Sequence, residues 1–332
     1  MTIWLQFFGC TALIVFSGTQ LSRYGDIIAE MTGMGRTWVG LVLIASVTSL
    51  PELITGISSV AIFDLPDIAA GDVLGSCMFN ILIIALLDLT GDPLPISTRG
   101  HHGQVIAAGF GIVLLSLTAT AFVLDARIPA IFWISPFSLI FIAVYFLAIR
   151  ISFLYEKRRI SEFIKEHAEE VRYKEITKIR AYTMYALNAL LVVAAATYLP
   201  SIGGQIAEKT GLGGTFVGSI FIALSTSLPE LVVSISALRI GAVDMVLGNL
   251  FGSNLFNITI LAVDDILYTK GPLIGSVAQS HMITANAAMI MTAIAVIGLI
   301  YKTSKKLYFL AWDSLGILLV YVLAISLLYA SR

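Results

Sequence analysis

The sequence predicts an all-α, polytopic membrane protein of ten transmembrane helices, arranged as two inverted five-helix repeats. Three observations carry that expectation. The 332 residues are 58% hydrophobic and 12% charged, with a mean hydropathy of +0.93, a balance that soluble globular domains do not hold. Ten apolar stretches can be marked off, each near the length of about 20 residues that crosses a bilayer as a helix. Residues 28–53, IAEMTGMGRTWVGLVLIASVTSLPEL, return as residues 206–231, IAEKTGLGGTFVGSIFIALSTSLPEL, with 17 of 26 positions identical.

The stretches fall at 3–21, 38–62, 66–88, 104–124, 129–154, 179–199, 214–238, 242–266, 282–301 and 307–329. The first lacks a basic leading segment and resembles the others, so it reads as a retained helix, not a cleaved signal peptide. Five stretches lie in a first repeat, 1–154, and five in a second, 179–332, joined by a linker at 155–178. An odd number of crossings per repeat turns the second copy upside down in the membrane, the plan of many secondary transporters, with the site at the midplane between repeats. The linker reads as a short charged helix. It is a solvated connection, or alternatively a hinge or a basic anchor on anionic lipid. It has no calcium-loop spacing of acids.

The net charge of −1 implies no bulk electrostatic partner and no nucleic acid. Its distribution is more informative. With the N-terminus outside, 16 of the 20 Lys and Arg fall inside, leaving Arg127, Lys209, Lys270 and Arg332 outside. That bias favours both termini outside a cell (plasma) membrane. Cys10 and Cys77 both lie within spans, where a disulfide framework is not expected and Cys77 reads as a buried apolar thiol.

The chemistry sits in the repeated motifs. Glu52 and Glu230 each interrupt an apolar run, at a cost of about 2.5–3.5 kcal/mol for a charge at mid-membrane. Thr48, Ser49 and Glu52 stand at i, i+1 and i+4, close enough to face one cavity, as do Thr226, Ser227 and Glu230. Pro51 and Pro229 lack an N–H, which frees carbonyls near Val47 and Ser225. A second motif follows each copy: GDVLGSCMFN from Gly71 to Asn80, and GNLFGSNLFN from Gly248 to Asn257. Ser76 with Asn80, and Ser253 with Asn257, stack on one face, while Gly71, Gly75, Gly248 and Gly252 let helices approach. Carboxylate, amide, hydroxyl and carbonyl oxygens are what a hard cation requires. No Lys or Arg lies within a span near the glutamates to pair with them, and the remaining alternative is protonated, hydrogen-bonded acids. There is no HExxH pair, Ser–His constellation or phosphate loop, so no enzyme is indicated and no cofactor is called for. A cation channel is the competing non-enzymatic reading.

Two pairs outside the motifs also draw notice. Asp88 and Asp265 are repeat mates at span ends, readable as cation-capturing mouths or as solvated boundary residues. His101 and His102 are adjacent in a loop and read more simply as solvated residues than as metal ligands.

TSLPE followed by GxxxGSxxxN, twice and inverted, resembles the sodium/calcium exchanger branch of the cation/calcium antiporters, over essentially all ten spans. The resemblance implies Na+/Ca2+ antiport by alternating access, electrogenic, with Na+ and Ca2+ as transported partners inside a lipid bilayer. It implies Glu52 and Glu230 as central carboxylates flanked by Asn80 and Asn257. Ser49, Ser76, Ser227, Ser253, Thr48 and Thr226 would supply hydroxyl or carbonyl oxygens for sodium, with the carbonyls of Ala45 and Ala223 at outer sodium sites. Three departures stand out. Asn257 replaces the aspartate of potassium-dependent relatives, which argues against potassium co-transport. Asp72 replaces the usual asparagine. At two turns from Asn80, about 12 Å along the axis, it is expected to line the ion approach or to cap a helix. Val47 and Ser225 replace the usual glycine before the threonine. Proton-coupled exchange of Ca2+ or another divalent cation such as Mg2+ or Mn2+ is the alternative. A surface that is apolar everywhere singles out no oligomeric interface.

Overall fold

The computed structural model describes residues 2–32, 45–89, 94–100, 102–124, 127–163, 176–239, 241–302, 306 and 310–331. The described chain is helical nearly throughout, as a bilayer demands: with no water to serve them, backbone N–H and C=O groups must pair within the segment. In order the helices are α1 (Thr2–Thr32), a single turn α2 (Ala45–Thr48), α3 (Leu50–Ser58), α4 (Pro66–Asp88), the short α5 (Ile96–Arg99), α6 (His102–Leu124), α7 (Pro136–Phe163), α8 (Lys178–Thr210), the short α9 (Gly213–Phe216), α10 (Ala223–Arg239), α11 (Val243–Leu267), the short α12 (Leu273–Ser276), α13 (His281–Tyr301) and α14 (Trp312–Ala330). Turns of π-helix, Ser59–Phe63 and Val217–Ile222, extend α3 and lead into α10. Among the described residues nine helical segments are long and apolar enough to cross a membrane, and Leu50–Phe63 is a shorter apolar helix. That shorter helix falls in the second expected span, whose first residues, 38–44, lie outside the described residues.

The all-α membrane fold follows from these lengths, and the inversion from which ends meet. Lys270, just past the end of α11, pairs with Asp64, just before α4. At the other face Gln104, near the start of α6, donates to the Asp244 carbonyl at the start of α11 (3.1 Å). The helices α4 and α11, which carry the second motif in its two copies, therefore run antiparallel. The membrane face at which α4 begins and α11 ends is referred to below as the Pro66 face.

These two helices form the buried centre. Nearly every side chain of α4 from Ile68 to Asp88 is buried, and most of α11 likewise. Outer helices keep large apolar side chains on the surface, among them Phe8, Phe16, Phe146, Leu319 and Leu323, suited to lipid. Apolar burial drives little association between helices already in lipid, so packing depends on close backbone approach. Gly75 supplies it: a Cβ there would stand 2.3 Å from the Ser219 carbonyl oxygen, and one at Gly71 would stand 2.9 Å from Gly218 Cα. The motif glycines of α4 thus admit the π-helical turn ahead of α10 against its backbone.

Asp88 and Asp265 are neither mouths nor solvated boundary residues; both are buried and saturated with donors. Asp88 accepts from Ile96 N (3.1 Å), Ala311 N (2.8 Å) and Ser314 Oγ (3.1 Å), and pairs with Lys306. Asp265 accepts from Leu273 N (2.6 Å), Ser135 N (2.8 Å) and Ser138 Oγ (2.6 Å). The pattern is the same in both copies. Each carboxylate holds the start of the short helix that follows it and the start of a long helix from the other repeat. Span-end position suggested exposure; loop N–H groups folding back over the acid decided otherwise.

Candidate functional site

The chain breaks where the first glutamate needs it. Ser49, with φ −84° and ψ 13°, separates α2 from α3, and Pro51 follows in the first turn. In the second copy α10 runs unbroken through Pro229. The repeats are therefore not conformationally identical around their glutamates, although their side-chain contacts correspond.

Those contacts cross between repeats. Ser227 Oγ donates to Glu52 Oε1 (2.8 Å) and lies 2.8 Å from Ser76 Oγ, which itself reaches Glu52 Oε1 at 3.4 Å. In mirror fashion Ser49 Oγ donates to Glu230 Oε1 (3.2 Å). Thr226 Oγ1 donates to Asp72 Oδ1 (2.7 Å), and its mate Thr48 donates to Asn249 Oδ1 (3.3 Å). The Thr226 hydroxyl also lies 3.2 Å from the Ala223 carbonyl oxygen. Ala45, the other expected carbonyl, opens the α2 turn. Where α4 crosses α11, Asn80 Nδ2 donates to Asn254 Oδ1 (3.0 Å), and Asn254 Nδ2 donates to the Cys77 carbonyl (3.1 Å). Cys77 is a buried free thiol, as expected.

Thr48, Ser49, Glu52, Ser76, Asn80, Thr226, Ser227, Glu230, Ser253 and Asn257 are all buried, on helices that pack against one another. Several of their oxygens have no hydrogen-bond partner: Glu52 Oε2, Glu230 Oε2, Asn80 Oδ1, Asn257 Oδ1 and Ser253 Oγ. Leaving a buried polar atom unsatisfied costs about 1–3 kcal/mol, more for a charged group. A set of five on one structural core reads as a donor set for hard cations, which take carboxylate, amide and hydroxyl oxygens. No Lys, Arg or His among the described residues pairs with either glutamate. Nor do three His, Cys, Asp or Glu side chains converge among the described residues, so an ion held here draws mainly on neutral oxygens around two carboxylates.

Asp72 needs correcting. It does not cap α4, which starts at Pro66, and it does not line an open approach, being fully buried. Its axial distance from Asn80 was judged along one helix. Thr226 arrives from another and puts Asp72 one hydroxyl away from the serines around Glu52. Asn249 and Asn254 were not singled out as site residues from sequence; mapping each contact through the repeat would have found Asn249 as the mate of Asp72, and Asn254 as the mate of Cys77. His101 lies outside the described residues, as does the side chain of His102.

The model of the sodium/calcium exchanger protein family matches residues 2–154 and 181–330. The chain belongs to that family. Inner membrane protein YrbG of Escherichia coli is 26% identical over 79% of this chain and 78% of its own length. Sodium/calcium exchanger MaX1 of Methanosarcina acetivorans is 35% identical, over 43% of this chain and 39% of its own. A structure of the sodium-calcium exchanger NCX_Mj superposes with a TM-score of 0.64 at 19% identity, covering 98% of both chains; this is a likeness of fold. As a member of the sodium/calcium exchanger family the protein is a multi-pass integral membrane cation/calcium antiporter and not an enzyme. The crossed glutamates, serines and threonines lie in the two TSLPE segments that the family model covers.

Proposed function

We propose that this exchanger moves Na+ one way and Ca2+ the other through a single site centred on Glu52 and Glu230. The observation that carries the reading is the reciprocal pair Ser227–Glu52 and Ser49–Glu230, with the second oxygen of each carboxylate lacking a partner. Two ionised carboxylates give a charge of −2. One Ca2+ balances it, two Na+ balance it equally, and a third Na+ leaves one positive charge to cross. That last stoichiometry makes exchange electrogenic, and each net charge is then worth about 2.3 kcal/mol per 100 mV of membrane potential. Asn80, Asn257, Ser76 and Ser253 complete the calcium shell. Thr48, Ser49, Thr226, Ser227 and the carbonyls of Ala45 and Ala223 serve the sodium ions, with Asp72 fixing Thr226. Because both ions use the same oxygens, neither can ride with the other, and an empty return leaves two buried carboxylates uncompensated.

The working units are the repeats 1–154 and 179–332, with 155–178 as a cytoplasmic linker. One set of helices rocks against the other to expose the site alternately. With both termini outside the cell membrane, the Pro66 face is external. The test is calcium uptake into sodium-loaded proteoliposomes with pH clamped on both sides. Uptake that collapses when internal sodium is replaced by choline is the expected result. Uptake that ignores sodium and follows an imposed pH gradient would replace this reading with proton-coupled exchange.

A further inference from the structure

Adjacent acids on α11 have opposite characters. Asp265 is held by three donors and has an acidic mate, Asp88, in the other repeat. Asp264 is equally buried, yet neither of its carboxylate oxygens has a hydrogen-bond partner. Its mate in the first repeat is Leu87, so the architecture accepts an apolar side chain at this place. An unpaired buried carboxylate is costly and contributes nothing to packing that leucine would not.

The carboxylate lies against Gly56 on α3. A Cβ there would stand 2.3 Å from Asp264 Oδ2 and 2.6 Å from Oδ1. Gly56 is four residues beyond Glu52, so Asp264 reaches the Glu52 side of α3 about one turn, roughly 5 Å, along its axis. Thr55, in the same turn, has a buried hydroxyl oxygen without a partner. Asp264 stands near the end of α11, towards the Pro66 face. Asp72, in the first half of α4, is displaced from the glutamates towards that same face, and its Oδ2 is also unpartnered. Their mates on the opposite side are Asn249 and Leu87. The repeat is thus broken in one respect: one half of the route carries two buried acids and the other half carries none in the matching places.

We propose that Asp264, with Thr55 and the bare backbone at Gly56, is a cation-binding waypoint between Glu52 and the Pro66 face, with no counterpart on the other face. It takes a hard cation, Na+ or Ca2+, entering or leaving on that side. The proposal rests on Glu52 being the central ligand.

The test is calcium self-exchange in proteoliposomes sorted by orientation, with half-saturating Ca2+ measured separately from each face, for wild type, Asp264→Asn and Gly56→Ala. The alanine methyl would displace the carboxylate without removing it. Both variants should raise the half-saturating Ca2+ at the Pro66 face by about tenfold, the low end of what a charged cleft contributes, and leave the other face within roughly twofold. Repeating the measurement with competing Na+ separates the two ions: a shift confined to Na+ inhibition assigns the waypoint to sodium, and a shift in Ca2+ alone to calcium. Equal shifts at both faces, or none at either, would overturn the proposal. If either variant fails to accumulate, Asp264→Leu, carrying the mate's residue, supplies the same comparison. A wild type that performs no calcium self-exchange would instead sink the assignment of the central site.

Discussion

Ser227, in the second copy of the motif, donates its hydroxyl to Glu52, in the first, at 2.8 Å. The central acid of each repeat is therefore oriented by the other repeat, through Ser227 in one direction and Ser49 in the reverse. Any motion of one repeat against the other changes the shell of both carboxylates together, which is the mechanical requirement for a site that opens to one side at a time.

Glu52→Gln and Glu230→Gln should separate activity from stability. Removing one member of a buried charged set costs about 3–5 kcal/mol of the interaction, so calcium exchange should fall by at least about a hundredfold. Glutamine keeps the volume and an oxygen for Ser227 or Ser49 while discarding a buried charge, so the melting temperature in detergent should hold or rise. Normal exchange by either variant would show the glutamates to be bystanders.

Asp88→Asn and Asp265→Asn should show the reverse. Each amide would turn its NH2 towards N–H and O–H donors that the carboxylate satisfies. Hydrogen bonds to charged groups are worth about 1.5–3 kcal/mol each, so a loss of about 3 kcal/mol per variant is expected, read as a lower melting temperature. Variants that remain folded should keep the wild-type half-saturating Ca2+.

Gly75→Ala should destabilise by about 1–3 kcal/mol, the range of overpacking, because its methyl meets the Ser219 backbone, which has no rotamer to yield. Gly109→Ala, where a methyl meets nothing within 4 Å, is the matched control and should stay within about 0.5 kcal/mol. Thermal unfolding of the two in the same detergent decides it.

Asp72→Asn should preserve exchange within about threefold, since asparagine keeps an acceptor for Thr226 and reproduces the Thr48–Asn249 pair of the other copy. Thr226→Val should be worse, because it strips the donor and leaves the acid buried alone. Calcium flux from both variants, scaled to protein incorporated, gives the ranking; the opposite order would make the charge of Asp72 part of the ion shell.

The membrane class, the helix register and the two glutamates were legible in the sequence because each is a local contradiction or a local period. A charge in an apolar run stands out without knowing what surrounds it, and a repeat of 17 identities in 26 positions declares its own mates. Ser49, Ser227, Thr48 and Thr226 were legible for the same reason, as neighbours of Glu52 and Glu230 on a helix face. What the chain order could not reveal is which acids find donors. Asp88 and Asp265 looked exposed at span ends, Asp72 looked remote from Asn80, and Asp264 drew no notice beside Asp265. Each outcome depends on N–H or O–H groups brought from distant segments: Ala311 and Ser314 to Asp88, Ser135 and Ser138 to Asp265, Thr226 to Asp72, and none to Asp264. Hydrogen bonding is satisfied over about 3 Å in space, and only the packing of the two repeats sets those distances.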